Sequence, residues 1–193
     1  MGYKQLFDFE QTLADFTGAP YVVVTDGCTH AIELACRYDL VTRCEISAFT
    51  YISIPMKLRQ LDIDYILTDE QWIGEYQLHG TRIWDSARLL CKGMYRGGQI
   101  QCLSFGNGKP LQLGRVGAIL LDDHDAYREL SMMRSDGRDL NIVPWTLQQQ
   151  FRVGYHYTPT LEQCSLGIEK LKFVDQTPKY YQYSDLRDID ITV

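Results

Sequence analysis

The sequence lacks the features that mark membrane, secreted and nucleic-acid-binding proteins. No apolar run among its 193 residues approaches the roughly 18 residues that a membrane-spanning helix needs. Lysine and arginine do not cluster and the formal net charge is −6, so we expect no direct binding to nucleic acid. The first ten residues, MGYKQLFDFE, are acidic where a signal peptide has an apolar centre. These absences predict a globular chain that is not secreted and has no membrane partner.

Six cysteines are present, but none has the spacing of a metal or redox motif. They are Cys28, Cys36, Cys44, Cys91, Cys102 and Cys164. The chain has no C-x-x-C pair and no Cys/His cluster with zinc spacing, and several of the cysteines lie in apolar stretches, as small buried hydrophobic residues do. We therefore expect no metal site and a reducing, cytoplasmic compartment.

Short apolar runs alternate with helical patterns along most of the chain. Strands are predicted over residues 21–24, 45–49, 65–67, 81–84, 99–105 and 116–121. Apolar residues at helical spacing precede the first strand and recur between and after the others, with a last helix expected to open at Thr158-Pro159. This alternation predicts an α/β fold with a mostly parallel sheet. Ligands of such sheets bind at the carboxyl ends of the strands.

Two strand ends carry side chains suited to catalysis, and each has a plain structural alternative. Lys109 lies in the glycine-rich turn SFGNGKPL. It could be a solvated surface residue, or a lysine fixed at the edge of a site as the nucleophile toward a carbonyl group. Asp85 directly follows the fourth predicted strand. It could cap a helix that begins there, or face the cationic ring nitrogen of a pyridoxal phosphate.

Three further positions suit the binding of a planar, phosphorylated cofactor. The turn Asp26-Gly27-Cys28-Thr29 between a strand and a helix presents backbone N–H groups to an anion, although it is neither a P-loop nor a dinucleotide fingerprint and could be an ordinary turn. Tyr51 follows the second strand, where an aromatic residue either joins the core or stacks on a flat ligand. His156, in the segment Gly-Tyr-His-Tyr, has a structural role by default.

Several segments match one known family in the correct order. They are FEQTLADFTGAPYVVVTDGCTHAIELAC, EISAFTYIS, IWDSAR, CLSFGNGKPLQLGRVGAILLDD, MMRSDGRD and VGYHYTPTLEQCSLGIEKL. Together they resemble the DegT/DnrJ/EryC1/StrS family, the fold-type-I pyridoxal-phosphate aminotransferases that act mostly on keto sugars attached to nucleotides. The resemblance runs from about Phe9 to Leu171 and implies a three-layer α/β/α large domain with pyridoxal 5'-phosphate as cofactor.

The resemblance also implies the roles of the catalytic residues. Lys109 would bind the cofactor covalently and then move a proton between cofactor and substrate. Asp85 would pair with the pyridinium nitrogen, and Tyr51 would stack on the ring.

The remaining implied roles concern the cofactor's oxygens. Cys28, Thr29 and Ser104 would hold its phosphate. Arg88 stands where the family has Gln or His near the phenolic oxygen. His156 would contact the phosphate of a neighbouring subunit, which implies a homodimer with shared active sites.

The chain departs from the family pattern mainly by being short. It has about half the family's length, and the small C-terminal domain is essentially absent. We therefore expect an α/β domain over residues 1–175 and a tail over residues 176–193. The stretch between Asp69 and Asp85 is also short, so that one strand–helix unit is missing or reduced to residues 76–78.

The leading hypothesis is an aminotransferase that moves an amino group from an amino acid, by analogy glutamate, to a keto or aldehyde acceptor such as a nucleotide-linked keto sugar. Racemisation or decarboxylation would use the same lysine. A second hypothesis is a non-catalytic scaffold or regulatory relative with this fold, which the deletions favour. A third, a plain nucleotide-binding α/β domain, lacks the expected motifs.

Overall fold

The computed structural model describes residues 2–174, 177 and 180–189, which form five α-helices and seven strands. The helices are α1 (Lys4–Thr17), α2 (Cys28–Tyr38), α3 (Ser53–Gln60), α4 (His124–Arg134) and α5 (Leu161–Leu171). The strands are β1 (Tyr21–Thr25), β2 (Arg43–Ser47), β3 (Asp64–Thr68), β4 (Tyr76–Gln77), β5 (Ile83–Asp85), β6 (Ile100–Ser104) and β7 (Gly117–Leu121). Within the described residues, no helix is both long and apolar enough to cross a membrane.

The strands confirm the α/β class and correct one detail of the expected sheet. The larger sheet has the order β1-β7-β6-β5-β4, and a second sheet pairs β2 with β3. Only β5–β6 and β2–β3 are parallel pairs, whereas β7 lies antiparallel between β1 and β6. The sheet is therefore mixed rather than mostly parallel. The reversal arises because a helix-free loop joins β6 to β7, so the chain returns beside β6 in the opposite direction.

The short segment around β4 joins the two sheets. Tyr76 and Gln77 pair with Asp85 and Trp84 of β5. Two residues further along, His79 exchanges both backbone hydrogen bonds with Glu45 of β2, at N–O distances of 2.9 and 3.0 Å. The expected strand–helix unit between Asp69 and Asp85 is thus reduced to one short strand and two isolated bridges, His79 with Glu45 and Ile73 with Glu75.

Alternate side chains of the central strands pack into two separate cores. In β7, Ile119 and Leu121 face the core beneath α2, α3 and α4, whereas Ala118 and Leu120 face the core beneath α1 and α5. Because both faces of β7 are covered, its five residues are all buried. The fold is therefore the three-layer α/β/α arrangement that the family resemblance implied.

The ends of the helices follow their capping residues. Asp123 caps α4 by accepting hydrogen bonds from the amides of Asp125 and Ala126. The last helix begins two residues later than expected, because Thr160, and not Thr158, forms a capping box with Gln163. Thr158 instead approaches the hydroxyl of Ser135 at 3.3 Å.

Candidate active site

The floor of the candidate site is the turn that leads from β1 into α2. The helix begins at Cys28, directly after Gly27, and its first turn carries backbone N–H groups with no partner inside the helix. The hydroxyl of Thr29 lies 2.8 Å from that of Ser53 on α3, which fixes the side chain at the edge of the turn. The geometry suits an anion, because both the free N–H groups and the helix dipole favour negative charge there.

Gly117 allows this turn to lie directly against β7. A Cβ atom on Gly117 would come within 2.5 Å of both the Cys28 nitrogen and the Gly27 carbonyl carbon. Any larger residue would therefore push the backbone of the turn away from the sheet. The side chain of Cys28 turns toward the protein, with Sγ 3.5 Å from the Cys102 carbonyl oxygen. An anion at this turn would therefore meet the backbone of Cys28 and not its thiol.

Asp85 is a buried carboxylate at the end of β5, with 3% of its surface exposed. One carboxylate oxygen accepts a hydrogen bond from the Ala87 amide at 3.0 Å and lies 4.0 Å from Cys28 Sγ. Burial raises the pKa of Asp85 to about 6, although the positive charges of Lys109 and Arg88 oppose the rise. No helix begins at Asp85, so the alternative of a helix cap is wrong. A buried carboxylate of this kind gains from a cationic partner.

Lys109 lies in the loop between β6 and β7 and is not a free surface lysine. Its backbone N–H donates to the Gly106 carbonyl at 3.3 Å, and Gly108 before it adopts φ +71°. Burial and the charge of Arg88 lower the pKa of Lys109, against the opposing effect of Asp85. A lowered pKa increases the share of neutral amine, the form that attacks a carbonyl.

Tyr51 lies at the mouth of the site, with 58% of its surface exposed, and does not join the core. The preceding residue, Thr50, is buried and is held by the hydroxyl of Tyr76 at 2.9 Å. This buried contact fixes the turn that carries Tyr51, so its ring is available to a flat ligand.

A single cavity of about 500 Å³ brings most of the predicted site residues together. It is lined by Cys28, Thr29, Tyr51, Asp85, Arg88, Ser104 and Lys109. His156 lies elsewhere, with its side chain 90% exposed and Nδ1 3.1 Å from a carboxylate oxygen of Asp136. Any role for His156 in a phosphate site would therefore have to be in another subunit.

The cavity also includes residues outside the predicted set of site residues. His30, Arg115, Tyr181 and Tyr183 line it. Nδ1 of His30 lies 2.6 Å from a carboxylate oxygen of Asp26, four residues earlier on the chain. That spacing was a usable sequence signal for His30, whereas the position of the two tyrosines depends on contacts with residues far away in the sequence.

The chemical groups that line this cavity fit pyridoxal phosphate. An anion-binding turn, a buried carboxylate, a lysine and an exposed aromatic ring correspond to the phosphate, the ring nitrogen, the aldehyde and the flat face of that cofactor. The close approach at Gly117 shows that the turn is built without side-chain bulk behind it. Within the described residues, no cluster of His, Cys, Asp or Glu could hold a metal ion.

The fold is that of the large domain of fold-type-I aminotransferases. A DegT DnrJ EryC1 StrS aminotransferase from Brucella abortus superposes with a TM-score of 0.72 and 15% identity, over 87% of this chain and 58% of that one. Helicobacter pylori PseC, an aminotransferase involved in the biosynthesis of pseudoaminic acid, gives 0.70 and 15%, over 87% and 57%. DesI, solved in the presence of its TDP-sugar product, gives 0.70 and 18%, over 89% and 53%. The chain thus spans less than two thirds of these relatives.

The sequence also matches a family profile over residues 82–182, which describes the DegT/DnrJ/EryC1/StrS aminotransferase family. The chain belongs to this family. The matched residues include Asp85, Arg88, Ser104 and Lys109, and they extend to Gln182. No curated protein matches the chain at a significant level.

Proposed function

We propose that the protein is a pyridoxal-phosphate-dependent aminotransferase that transfers an amino group from an amino acid to a carbonyl acceptor. The observation that carries the proposal is the placement of Lys109, Asp85 and the turn at Gly27 in one cavity. These elements come from separate parts of the sequence, and each supplies a different group that the cofactor requires. When bound, the cofactor supplies an electron sink and carries the amino group between the two substrates.

Each residue of the cavity has a defined task in this proposal. The amine of Lys109 holds the cofactor and moves a proton at the reacting carbon. The carboxylate of Asp85 keeps the ring nitrogen protonated, because an ionised Asp85 is stabilised by a positive partner inside the protein.

Other groups hold and cover the cofactor. The amides at Cys28 and Thr29, with the hydroxyl of Ser104, bind the phosphate. The ring of Tyr51 covers the flat face, and the guanidinium of Arg88 faces the phenolic oxygen.

We further propose a nucleotide-linked keto sugar as acceptor and glutamate as donor. The acceptor is supported by the family match and by the likeness to DesI, which was solved with a TDP-sugar product. The exposed Arg115 leaves a cation at the cavity that the phosphates of a nucleotide would pair with.

The proposal includes a cytoplasmic homodimer with shared sites. The exposed His156 supports the shared site, because it lies on the surface and outside the cavity of its own subunit. The cytoplasm is supported by the six cysteines, all of which are free thiols.

A non-catalytic scaffold is the second candidate, and one observation favours it. The chain covers only 53% of DesI and 57% of PseC, so a large part of those proteins has no counterpart here. A scaffold of this kind would keep the fold without holding the cofactor.

The experiment that separates the two candidates is covalent trapping of the cofactor. Purified protein is incubated with pyridoxal phosphate, and its absorption spectrum is recorded before and after reduction with borohydride. The reduced protein is then digested, and the masses of its peptides are measured by mass spectrometry. We expect a visible-edge band that borohydride abolishes and the cofactor's mass on the peptide containing Lys109. Lys109→Ala should lose both signals, whereas Lys172→Ala, a change of an exposed lysine, should keep them. A folded protein with no band and no added mass would contradict the aminotransferase.

The amino donor is found by a second step with the same sample. Candidate amino acids are added one at a time, and the bleaching of the band is followed. Bleaching by glutamate supports the proposed half-reaction, whereas bleaching by another amino acid alone would change the donor.

A further inference from the structure

Residues 180–189 fold back over the domain and are fixed there by contacts outside the cavity. Residues 180–189, called here the C-terminal strap, run past the loop that carries Tyr51. Leu186 is 3% exposed, and its N–H donates to the Ala48 carbonyl at 2.9 Å. Arg187 adds an ion pair with Asp69 at 2.7 Å. A buried apolar side chain and a backbone hydrogen bond anchor the strap at one end.

The other end of the strap holds Arg88. The guanidinium carbon of Arg88 lies 3.9 Å from the centroid of the Tyr181 ring, and Nε donates to the hydroxyl of Tyr183 at 3.2 Å. Tyr183 is itself supported from behind, because its ring stacks on Trp72 at a centroid distance of 5.6 Å. An arginine held by a ring face and a hydroxyl has lost most of its freedom to move.

Arg88 in turn reaches the loop of the catalytic lysine. Its Nη1 donates to the carbonyl of Gly108 at 2.9 Å, and Gly108 directly precedes Lys109. The contacts therefore form a chain from the strap through Arg88 to the loop. The guanidinium also places a positive charge near Lys109, whose pKa it lowers.

We propose that the strap is a functional element of the active site. Its Tyr181 and Tyr183 are positioning residues that hold Arg88 against the carbonyl of Gly108. Arg88 in turn fixes the loop that carries Lys109. The inference rests on the proposed function for the role of Lys109, but the positioning itself does not require bound cofactor. It gives the site an element that comes from residues 180–189.

The test compares four variants of the full-length protein. Tyr181→Ala removes the ring beneath Arg88, whereas Tyr181→Phe keeps the ring and serves as the conservative partner. Leu186→Asp releases the anchor without touching the cavity. Ser184→Ala changes an exposed residue of the same segment and is the matched control. Tyr181 is 52% exposed, so its replacement does not threaten folding.

The first readout is hydrogen exchange of the backbone amides in the cofactor-free protein. Leu186→Asp should speed exchange in residues 181–189 and, through the loss of the Arg88 contact, in residues 106–109. Tyr181→Ala should speed exchange in residues 106–109 by roughly threefold to tenfold, the range that loss of a cation–π contact allows. Tyr181→Phe and Ser184→Ala should match the parent protein.

The second readout is the reactivity of Lys109 as a function of pH. The cofactor-free protein is methylated with formaldehyde and cyanoborohydride, and the modified Lys109 peptide is measured at each pH. Because Arg88 lowers the pKa of Lys109, displacement of Arg88 in Tyr181→Ala should move the half-maximal rate to higher pH. A merely structural role of the strap would leave this profile unchanged.

The outcomes separate this inference from the proposed function. Slower or unchanged exchange at residues 106–109, or an unchanged pH profile, in both Tyr181→Ala and Leu186→Asp would overturn the positioning role. If the positioning results hold while pyridoxal phosphate is never trapped on Lys109 in the parent protein, the aminotransferase fails and the positioning role stands. If the cofactor is trapped equally well in all four variants and hydrogen exchange does not change, the positioning role fails and the aminotransferase stands.

Discussion

Nδ1 of His30 lies 2.6 Å from a carboxylate oxygen of Asp26, across the turn proposed to bind phosphate. Tyr157 packs against this pair. Its ring stacks on the imidazole of His30, with the ring centroids 3.7 Å apart and the ring planes 6° from parallel. The carbonyl of Tyr157 also accepts the N–H of Asp26 at 2.8 Å. The segment before α5 therefore fixes both the backbone and a side chain of the turn.

Replacement of Tyr157 should weaken cofactor binding without removing a residue from the cavity. Tyr157→Ala loses the stacked ring, so the turn at Asp26 becomes mobile and must be ordered on binding. We expect the Kd for pyridoxal phosphate, measured by absorbance titration, to rise about tenfold, the effect of about 1.4 kcal/mol. Tyr157→Phe keeps the ring and loses only the hydrogen bond to Glu33, and should change the Kd little. Equal values for the two variants would show that stacking does not support the turn.

Gly117 should be intolerant of even one added methyl group. In Gly117→Ala the new Cβ would lie 2.5 Å from the backbone of the turn at Cys28, which must move away from β7. We expect loss of measurable pyridoxal phosphate binding and a fall in unfolding free energy of about 1–3 kcal/mol. Gly97→Ala is the matched control, because its Cβ would meet only a carboxylate oxygen of Asp122 at 3.5 Å. Unimpaired binding in Gly117→Ala would exclude the turn as the phosphate site.

The sequence predicted much of the site because local patterns placed its residues at strand ends. Asp85 ends β5, and Lys109 follows β6, as the hydrophobic runs indicated. The parallel pairing of β5 with β6 brings these ends to one edge, where ligands of α/β proteins bind. The order of strands in the sheet was not needed for this result.

The unpredicted parts depend on contacts between distant residues. The antiparallel direction of β7 and the bridge from His79 to Glu45 follow from how the chain returns, which no local periodicity reports. The same holds for Tyr183, whose partner Arg88 lies 95 positions earlier. The aromatic tail has no periodicity and its contacts are made by single side chains, so the sequence could not decide whether it packs against the cavity.

Breaking the buried pair of Arg134 and Glu10 should strongly destabilise the fold. Both side chains are nearly inaccessible, and Arg134 also donates to the Val24 carbonyl at 2.9 Å, which joins α4, α1 and β1. Arg134→Met leaves the carboxylate of Glu10 buried without its partner, which costs about 3–5 kcal/mol. Urea denaturation should show this loss.

A double variant separates the charge from the packing of that pair. In Arg134→Met with Glu10→Gln, no charge is left buried, so part of the lost stability should return. A double variant as unstable as Arg134→Met alone would assign the loss to packing and to the bond with Val24.

Asp85 should make the cofactor-free protein less stable at neutral pH than a neutral residue would. Burial raises its pKa from an ordinary 3.8 to about 6, so the folded state binds a proton more tightly than the unfolded state. The free energy of unfolding is therefore highest, as far as Asp85 is concerned, below pH 4, where Asp85 is protonated. This stabilisation is lost as the pH rises to about 6. The difference corresponds to about 3 kcal/mol, the amount by which ionised Asp85 destabilises the fold at higher pH.

Asp85→Asn keeps an oxygen for the Ala87 amide but cannot ionise. We therefore expect the variant to unfold at a higher temperature than the parent at pH 7.5, with the two converging near pH 4. The same change should weaken binding of pyridoxal phosphate, because the cationic ring nitrogen loses its carboxylate. Thermal unfolding at several pH values and an absorbance titration measure the two effects. A variant that is less stable at pH 7.5 and binds the cofactor as well as the parent would show that Asp85 serves the fold and not the site.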